Sequence, residues 1–327
     1  MDKILLAIVC VLMASAVPAA YSAQRTPQLQ PDAINDVKLV PALARGAQGG
    51  AVMRAQVLLD RARFPAGEID AAFGSNMARA VAAFQKSQGL EPSGRLDAPT
   101  WEALNREGAT ALTSYRIADA DVAGPFVNVP NDMMEKTKLT ALGYASPLEA
   151  LGERFHVNPQ LLKKLNPGKD FARAGEEIVV PNVDGAGALP KAARIVVSKS
   201  DASVSVIDAS NRTLARFPAT TGSEHDPLPV GSWKVNGVAR NPPFHYNPKL
   251  FWDADPRHDK AKIAAGPNNP VGVVWIDLSK AHYGIHGTPE PSRISKTQSH
   301  GCIRLTNWDA LALAQAVAPG TPAILQD

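Results

Sequence analysis

Residues 299–305 read Ser-His-Gly-Cys-Ile-Arg-Leu, and residues 283–288 upstream read Tyr-Gly-Ile-His-Gly-Thr. A cysteine attacks as its thiolate, and a free thiol titrates at about 8.5, so near neutral pH it needs a base. Histidine is the side chain best suited to that task. A histidine ending one strand and a cysteine on the loop returning beside it can come within hydrogen-bond reach. Gly301 lets the backbone turn tightly and leaves main-chain N–H groups free to hold an oxyanion. Two histidines compete for the base. His300 lies two residues before Cys302, on the same side of an extended backbone. His286 would come from a separate element. A zinc site is the other use of these groups, with His282, His286, His300 and Cys302 as four ligands. Against it, the Tyr-Gly-Ile between His282 and His286 reads as strand, and the glutamate of a helical zinc-binding pair is absent. A buried structural thiol is the bland reading.

These residues sit late in a chain of 327 residues, about twice the usual domain length of ~150, so two or three domains are expected. Hydrophobic residues at 45% and charged residues at 20% describe a globular chain and exclude a wholly disordered one. A net charge of +3 gives no reason to expect nucleic acid. The N-terminus carries an apolar run, Ile4 to Met13, followed by small residues to Ala23. This reads as a secretory signal, cleaved between Ala20 and Ala23. The run is too short for a bilayer, which needs ~20 residues, and no later segment is apolar enough to cross one. Of the two cysteines, Cys10 leaves with the signal. Cys302 then remains as a lone thiol in an exported chain, unable to form an intrachain disulfide. Residues 24–191 balance 19 basic against 19 acidic side chains, while residues 192–327 carry 14 against 11 and six of the seven histidines. Acid–base chemistry is therefore concentrated towards the C-terminus.

The elements that must position these groups follow from periodicity. Residues 24–38 are polar and read as a tether. Residues 39–109 show helical spacing at Val52, Ala55, Leu58 and Leu59, and again at Ala78, Val81, Ala82 and Phe84 after a cap expected at Ser75. A third short helix follows Asp97, with Trp101 and Leu104 facing inward. Residues 110–190 open with a strand near Tyr115, continue with helical stretches around Leu151 and Leu161, and close with a strand ending at Pro181. From Arg194 the period changes to two, at Ile195 and Val197 and then Val204 and Val206. Further strands are expected over residues 214–220, 231–238, 271–277 and 283–287, with one helix over 306–317. The last unit, residues 191–327, is mostly β.

The quoted segments carry three resemblances. Gly-Glu-Ile-Asp-Ala-Ala-Phe-Gly at 67–74, Ala-Val-Ala-Ala-Phe-Gln at 80–85 and Thr-Trp-Glu-Ala-Leu at 100–104 resemble the three-helix peptidoglycan-binding domain. Residues 147–181 resemble a lysin motif, departing from it over 125–138, and the unit reads equally as a glycan binder or as a spacer. From Arg194 onward the chain resembles the catalytic domain of L,D-transpeptidases. Thr220 to Trp233 fits the family's early strand pair, Gly266 to Gly272 its Asn-Pro-x-Gly turn, and Ile-His-Gly-Thr with Ser-His-Gly-Cys-Ile-Arg-Leu its active-site signature. The resemblance implies a multidomain chain, with a mostly-β, β-sandwich-like catalytic domain carrying a short helix. A three-helix wall-binding domain and a small α+β unit precede it.

The resemblance further implies Cys302 as nucleophile and His286 as general base, oriented by the Gly287 carbonyl. His300 and Gly301 shape the loop and its oxyanion hole. Arg304, Ser299, Tyr283 and Asn269 would face substrate. It implies acyl transfer from a peptidoglycan tetrapeptide stem, with release of D-Ala, to an amine of a second stem or of an outer-membrane protein. Water as acceptor would make the enzyme an L,D-carboxypeptidase, and an inactive catalytic unit would leave a wall-binding scaffold. Carbapenem acylation, a periplasmic location at the cell wall and no cofactor or metal complete the implied picture. Residues 241–262, rich in aromatics, read as a lid over the acyl site or as a structured surface loop.

Overall fold

The computed structural model describes residues 29–185 and 187–327, so the signal peptide expected over 1–23 lies outside the described residues. The first unit holds α1 (Pro31–Asn35), α2 (Gly50–Arg61), α3 (Ser75–Ser87) and α4 (Ala98–Asn105). The side chain of Asp97 accepts the Thr100 amide at 3.0 Å and starts α4. Ser75 does not cap α3: it is the first helical residue, and Gly74 occupies the cap with no side-chain bond. Helical spacing turns Leu58, Leu59, Val81, Phe84, Trp101 and Leu104 into one core. Each fully buried side chain such as Leu59 contributes roughly 1.5–3 kcal/mol. Within the segment expected as a tether, α1 buries Ile34, and Asn35 exchanges two hydrogen bonds with the backbone of Leu112 at 3.0 and 2.8 Å.

The middle unit runs β1 (Leu112–Arg116), α5 (Asp119–Val122), α6 (Met133–Lys136), α7 (Pro147–Arg154), α8 (Pro159–Leu165) and β2 (Glu177–Pro181). β1 and β2 pair antiparallel, Leu112 opposite Pro181. Ser146 and Asn158 cap α7 and α8, each followed by a proline whose missing N–H costs nothing there. Buried Asn166 ties the end of α8 to β2, donating to the Val179 carbonyl at 2.7 Å and accepting its amide at 2.6 Å. This core is shared with the first unit, since Met53, Val57 and Ile69 pack with Leu151, Phe155 and Leu162.

The last unit contains β3 (Arg194–Ser198), β4 (Ser203–Ile207), β5 (Thr213–Pro218), β6 (Thr220–Thr221), β7 (Gly231–Arg240), β8 (Phe244–Tyr246), β9 (Ala261–Ile263), β10 (Val274–Leu278), β11 (Gly284–His286), β12 (Ile303–Arg304), α9 (Asn307–Ala316) and β13 (Pro322–Gln326). Nine of these strands form one sheet in the order β5-β4-β3-β13-β7-β10-β11-β12-β6. The long β7 joins its halves: residues 231–234 pair with β13, and residues 235–240 pair with β10. Ile195, Val197, Val204 and Phe217 from one half meet Ile276, Ile285 and Ile303 from the other, with Leu313 of α9 in the same core. That packing is the sandwich-like arrangement expected from the alternation.

The units are also joined by polar contacts. The Arg216 amide donates to the Arg63 carbonyl at 3.0 Å, and the Asn76 side chain donates to Ile294 O at 3.0 Å. At the meeting of all three, His156 pairs with Asp60 at 3.0 Å and stacks on Trp308 at 4.8 Å between ring centres.

Candidate active site

β11 and β12 run parallel, with Ile285 opposite Ile303 and His286 opposite Arg304. Side chains alternate along a strand. Ile285 and Ile303 therefore enter the core, both fully buried, while His286 and Arg304 project from the other face. Cys302 immediately precedes β12, two residues before Arg304, whose charge acts on its thiol. On the other flank of β11, Trp275 of β10 stands opposite His286 and stacks on it at 5.5 Å and 16°. The same indole covers Gly284, where a Cβ would lie 2.5 Å from the ring. Glycine is required there because the tryptophan occupies the space a side chain would need.

His286 is 3% exposed, and its Nδ1 lies 2.7 Å from the Gly287 carbonyl. A carbonyl only accepts, so Nδ1 carries the proton and Nε2 is the free base. Burial, reinforced by the Arg304 charge, lowers its pKa to about 3, against the opposing bond to Gly287. Cys302 is half-buried, and its Sγ donates to the His282 carbonyl at 3.8 Å. Burial pushes the thiol up; the Gly284 backbone and Arg304 pull it down, and Asp226 pushes it up again. The two groups therefore rest as neutral thiol and neutral imidazole at pH 7. Arg304, itself lowered by burial and bonded to Gln298 O at 3.4 Å, favours a thiolate and opposes an imidazolium.

The turn before the thiol is held from two sides. Gly301 has φ +89°, and a Cβ there would lie 2.8 Å from the Tyr283 ring. Ser299 donates to the Cys302 carbonyl at 2.6 Å and accepts the Gly222 amide at 2.7 Å. Its hydroxyl fixes the loop against β6. Asn269 is fully buried, donating to Ala264 O at 2.7 Å and accepting the Val271 amide at 2.9 Å, which closes its turn. His300 meets residues far from β11 in sequence: its Nε2 lies 2.7 Å from Asp253 and its ring packs edge-on against Phe251 at 4.9 Å. Among the described residues no three His, Cys, Asp or Glu side chains are grouped as a metal-binding set.

Two residues that sequence reasoning passed over complete the support. Asn307 Oδ1 accepts the Val273 amide at 3.1 Å, and it fills the place a Cβ on Gly287 would take. Its amide donates to both Glu153 oxygens at 3.0 and 3.1 Å, reaching from α9 to α7 of the middle unit. The one available signal was an asparagine directly after the Ile-Arg-Leu-Thr run. Burial raises Glu153 to about 7, offset by its bonds from Asn307 and Tyr144. Burial and the Asp60 charge likewise raise Asp309 to about 7, with His156 opposing. A carboxyl whose folded pKa is raised contributes stability that is complete below its unfolded value and lost as pH rises through the folded value. Heating from pH 5 to pH 8 should therefore find a falling unfolding midpoint. Glu153→Gln should remove on the order of 2 kcal/mol of that dependence, as a higher midpoint at pH 8 and little change at pH 5. Parallel midpoint curves for variant and wild type would contradict this.

Comparison with known proteins bears on this geometry. The sequence model of the L,D-transpeptidase catalytic domain matches residues 192–325, and that of a peptidoglycan-binding domain matches residues 48–104. The middle unit falls outside both. A Bacillus licheniformis protein named as an L,D-transpeptidase, YkuD, is 32% identical over 176 residues, covering 53% of this chain and 90% of the relative. The YkuD of Bacillus subtilis is 28% identical over 175 residues, covering 53% and 90%. Among solved structures, an L,D-transpeptidase from Xylanimonas cellulosilytica aligns at 16% identity and TM-score 0.37, covering 87% of this chain and 98% of that one.

Proposed function

The chain belongs to the L,D-transpeptidase family, and from that premise we propose that Cys302 and His286 carry out acyl transfer on peptidoglycan stem peptides. The observation that carries the reading is His286 beside Arg304 across β11 and β12, with Cys302 directly before β12 and the Nδ1 of His286 committed to Gly287. Sγ attacks the carbonyl carbon of the amide joining the L-centre of the stem's diamino acid to a terminal D-Ala, and Nε2 takes the thiol proton. The N–H groups of Gly301 and Cys302 are the proposed donors to the oxyanion. The C–N bond then breaks, Nε2 returns the proton to the departing D-Ala amine, and a thioester remains on Sγ. A second stem's side-chain amine attacks that thioester, giving up its proton to Nε2, and the thiol is regenerated. Arg304 stabilises negative charge as it develops on sulfur.

The helical unit, matched to a peptidoglycan-binding domain, would hold the wall near this site. Export to the cell wall or periplasm fits that substrate, and among the described residues no helix is long and apolar enough to cross a membrane. The deciding assay incubates purified protein with a disaccharide-tetrapeptide and reads the products by mass spectrometry. D-Ala loss with a cross-linked dimer is expected. Tripeptide alone would instead make the protein a carboxypeptidase, and unchanged substrate would end the enzymatic reading in favour of a scaffold. A carbapenem should add its own mass at Cys302, as a cysteine acyl-enzyme would.

A further inference from the structure

The middle unit does not turn directly from α5 into α7. Residues 124–143 leave it and cross to the catalytic unit, where they meet the excursion of residues 241–265 that contains β8 and β9. Three kinds of contact fasten the two. First, the backbones interlock: the Leu142 amide donates to Ala265 O at 2.9 Å, and the Asn268 amide donates to Leu142 O at 3.0 Å. Gly266, at φ +144°, lets Leu142 pass where a Cβ would collide with its carbonyl oxygen. Secondly, Met133, Leu139 and Leu142 form a separate small core with Tyr246, Phe251 and Ile263. Thirdly, Asp132 divides its carboxylate. Oδ1 accepts the amides of Met134 and Glu135 at 2.8 and 2.9 Å, while Oδ2 lies 3.0 Å from His258 Nε2, whose Nδ1 is 3.0 Å from the Tyr246 hydroxyl.

The far side of the same excursion rests on the loop that carries the thiol. Asp253 Oδ1 lies 2.7 Å from His300 Nε2, and Phe251 packs against the His300 ring. Trp252 packs against His225 at 4.6 Å with its ring tilted by 31°, next to Asp226, whose charge is felt at Cys302. One continuous path therefore runs from the middle unit through Asp132, His258, Tyr246, Phe251 and Asp253 to His300, two residues from Cys302.

We infer that residues 124–143 form a strap that holds the 241–265 excursion closed on the His300–Cys302 loop, with Asp132 and Asp253 as positioning residues that keep water from the thioester. The effect on acceptor choice rests on the transferase reading above; the closure itself does not. A held lid raises the chance that an amine rather than water meets the acyl group, because water enters wherever closure fails. The strap also gives a physical role to residues 125–138, where the chain departs from the lysin-motif pattern.

The full chain tests this with Asp132→Asn and Asp253→Ala. The first substitution keeps the side-chain oxygen that caps α6 and replaces the acceptor oxygen facing His258 with an uncharged amide NH2. Maleimide alkylation of Cys302 at pH 8.5, read on the Cys302 peptide by mass spectrometry, should run about threefold faster in each variant, the size expected for loss of one partly exposed hydrogen bond. The double variant should be no faster than the faster single, because both release the same lid. In the disaccharide-tetrapeptide assay, the ratio of tripeptide to cross-linked product should rise by about threefold as well. A merely structural contact would lower both products alike. Wild-type alkylation rates in Asp132→Asn, or additive effects in the double variant, overturn the proposal. Should Asp132→Asn fail to fold, His258→Gln breaks the same contact from the lid. A wild-type protein yielding neither product removes the transferase reading, and alkylation still judges the strap, since it needs only a thiol.

Discussion

Cys302→Ala should release no measurable D-Ala from a disaccharide-tetrapeptide, a loss of at least about 10⁴-fold, while binding to purified peptidoglycan stays at the wild-type level. The size follows from the role proposed for the sulfur. Without it no thioester forms, and His286 cannot substitute for it, being buried and covered by the Trp275 indole. Water attack directed by His286 alone lacks the covalent step that divides one difficult substitution into two easier ones. The substitution should cost little stability, because Cys302 is half-buried and the bond from its thiol to the His282 carbonyl is long, at 3.8 Å. Wall binding draws on the helical unit, whose core contains none of the catalytic loop. Sedimentation with wall material and mass spectrometry of the stem peptides separate the two properties. Persistent D-Ala release in the variant would remove Cys302 from the mechanism.

His286→Gln should lower the rate by about 10²–10⁴-fold near neutral pH, the usual worth of a general base. The pH dependence is the sharper test. In the wild type His286 is held to about 3, so it remains a neutral base across pH 5 to 8, and the rate should show no acid limb near the ordinary histidine value of about 6.5. The variant lacks a proton acceptor, so its rate follows the thiolate alone. Burial raises the Cys302 thiol; the variant's rate should therefore climb about tenfold per pH unit through the neutral range. Its deficit against wild type should shrink steadily as pH increases. Stability carries the opposite signature. A histidine with a depressed folded pKa contributes stability that is present above its unfolded value and lost as pH falls towards the folded value, here about 3. A glutamine in its place does not titrate, so at pH 4 the variant should lose less of its neutral-pH stability than the wild type. A parallel pair of pH–rate profiles would assign the base elsewhere.

How much of this was legible in sequence depended on how local the contact was. The signature residues 299–305 and 283–288 lie on one turn and one strand, so their residue types spoke directly, whereas the contact of His300 with Asp253 was not readable from them. Strand existence is readable from alternation, but strand ends are not. The pattern predicts one strand over 271–277, yet it begins at Val274, because Gly272 at φ +61° is still in a turn. Tyr283 falls outside β11 because His282, at φ +68°, is bending the chain into it. The alternation predicts neither β12 nor β13. β12 has two residues, too few to show a period, and β13 gains its place between β3 and β7 from pairing with strands far back along the chain. Asn307, Glu153, Asp132 and Asp253 stayed silent for a related reason. Each acts on an element remote in sequence, and a single polar side chain gives no sign of which backbone will be folded against it.

The hydrogen bonds from Arg216 to Arg63 and from Asn76 to Ile294 have a consequence for where along a glycan strand the chemistry falls. A wall-binding module on a slack linker would let the thiol sample any stem within a radius. Here the helices that would grip the wall are bolted to the sheet and to the loop leading towards Cys302, so the span between grip and thiol is that of a caliper. Stems at one offset from the gripped sugar come into register with the sulfur, and their neighbours do not. Spacing along the polymer, as much as the chemistry of the stem, would then decide which peptides react.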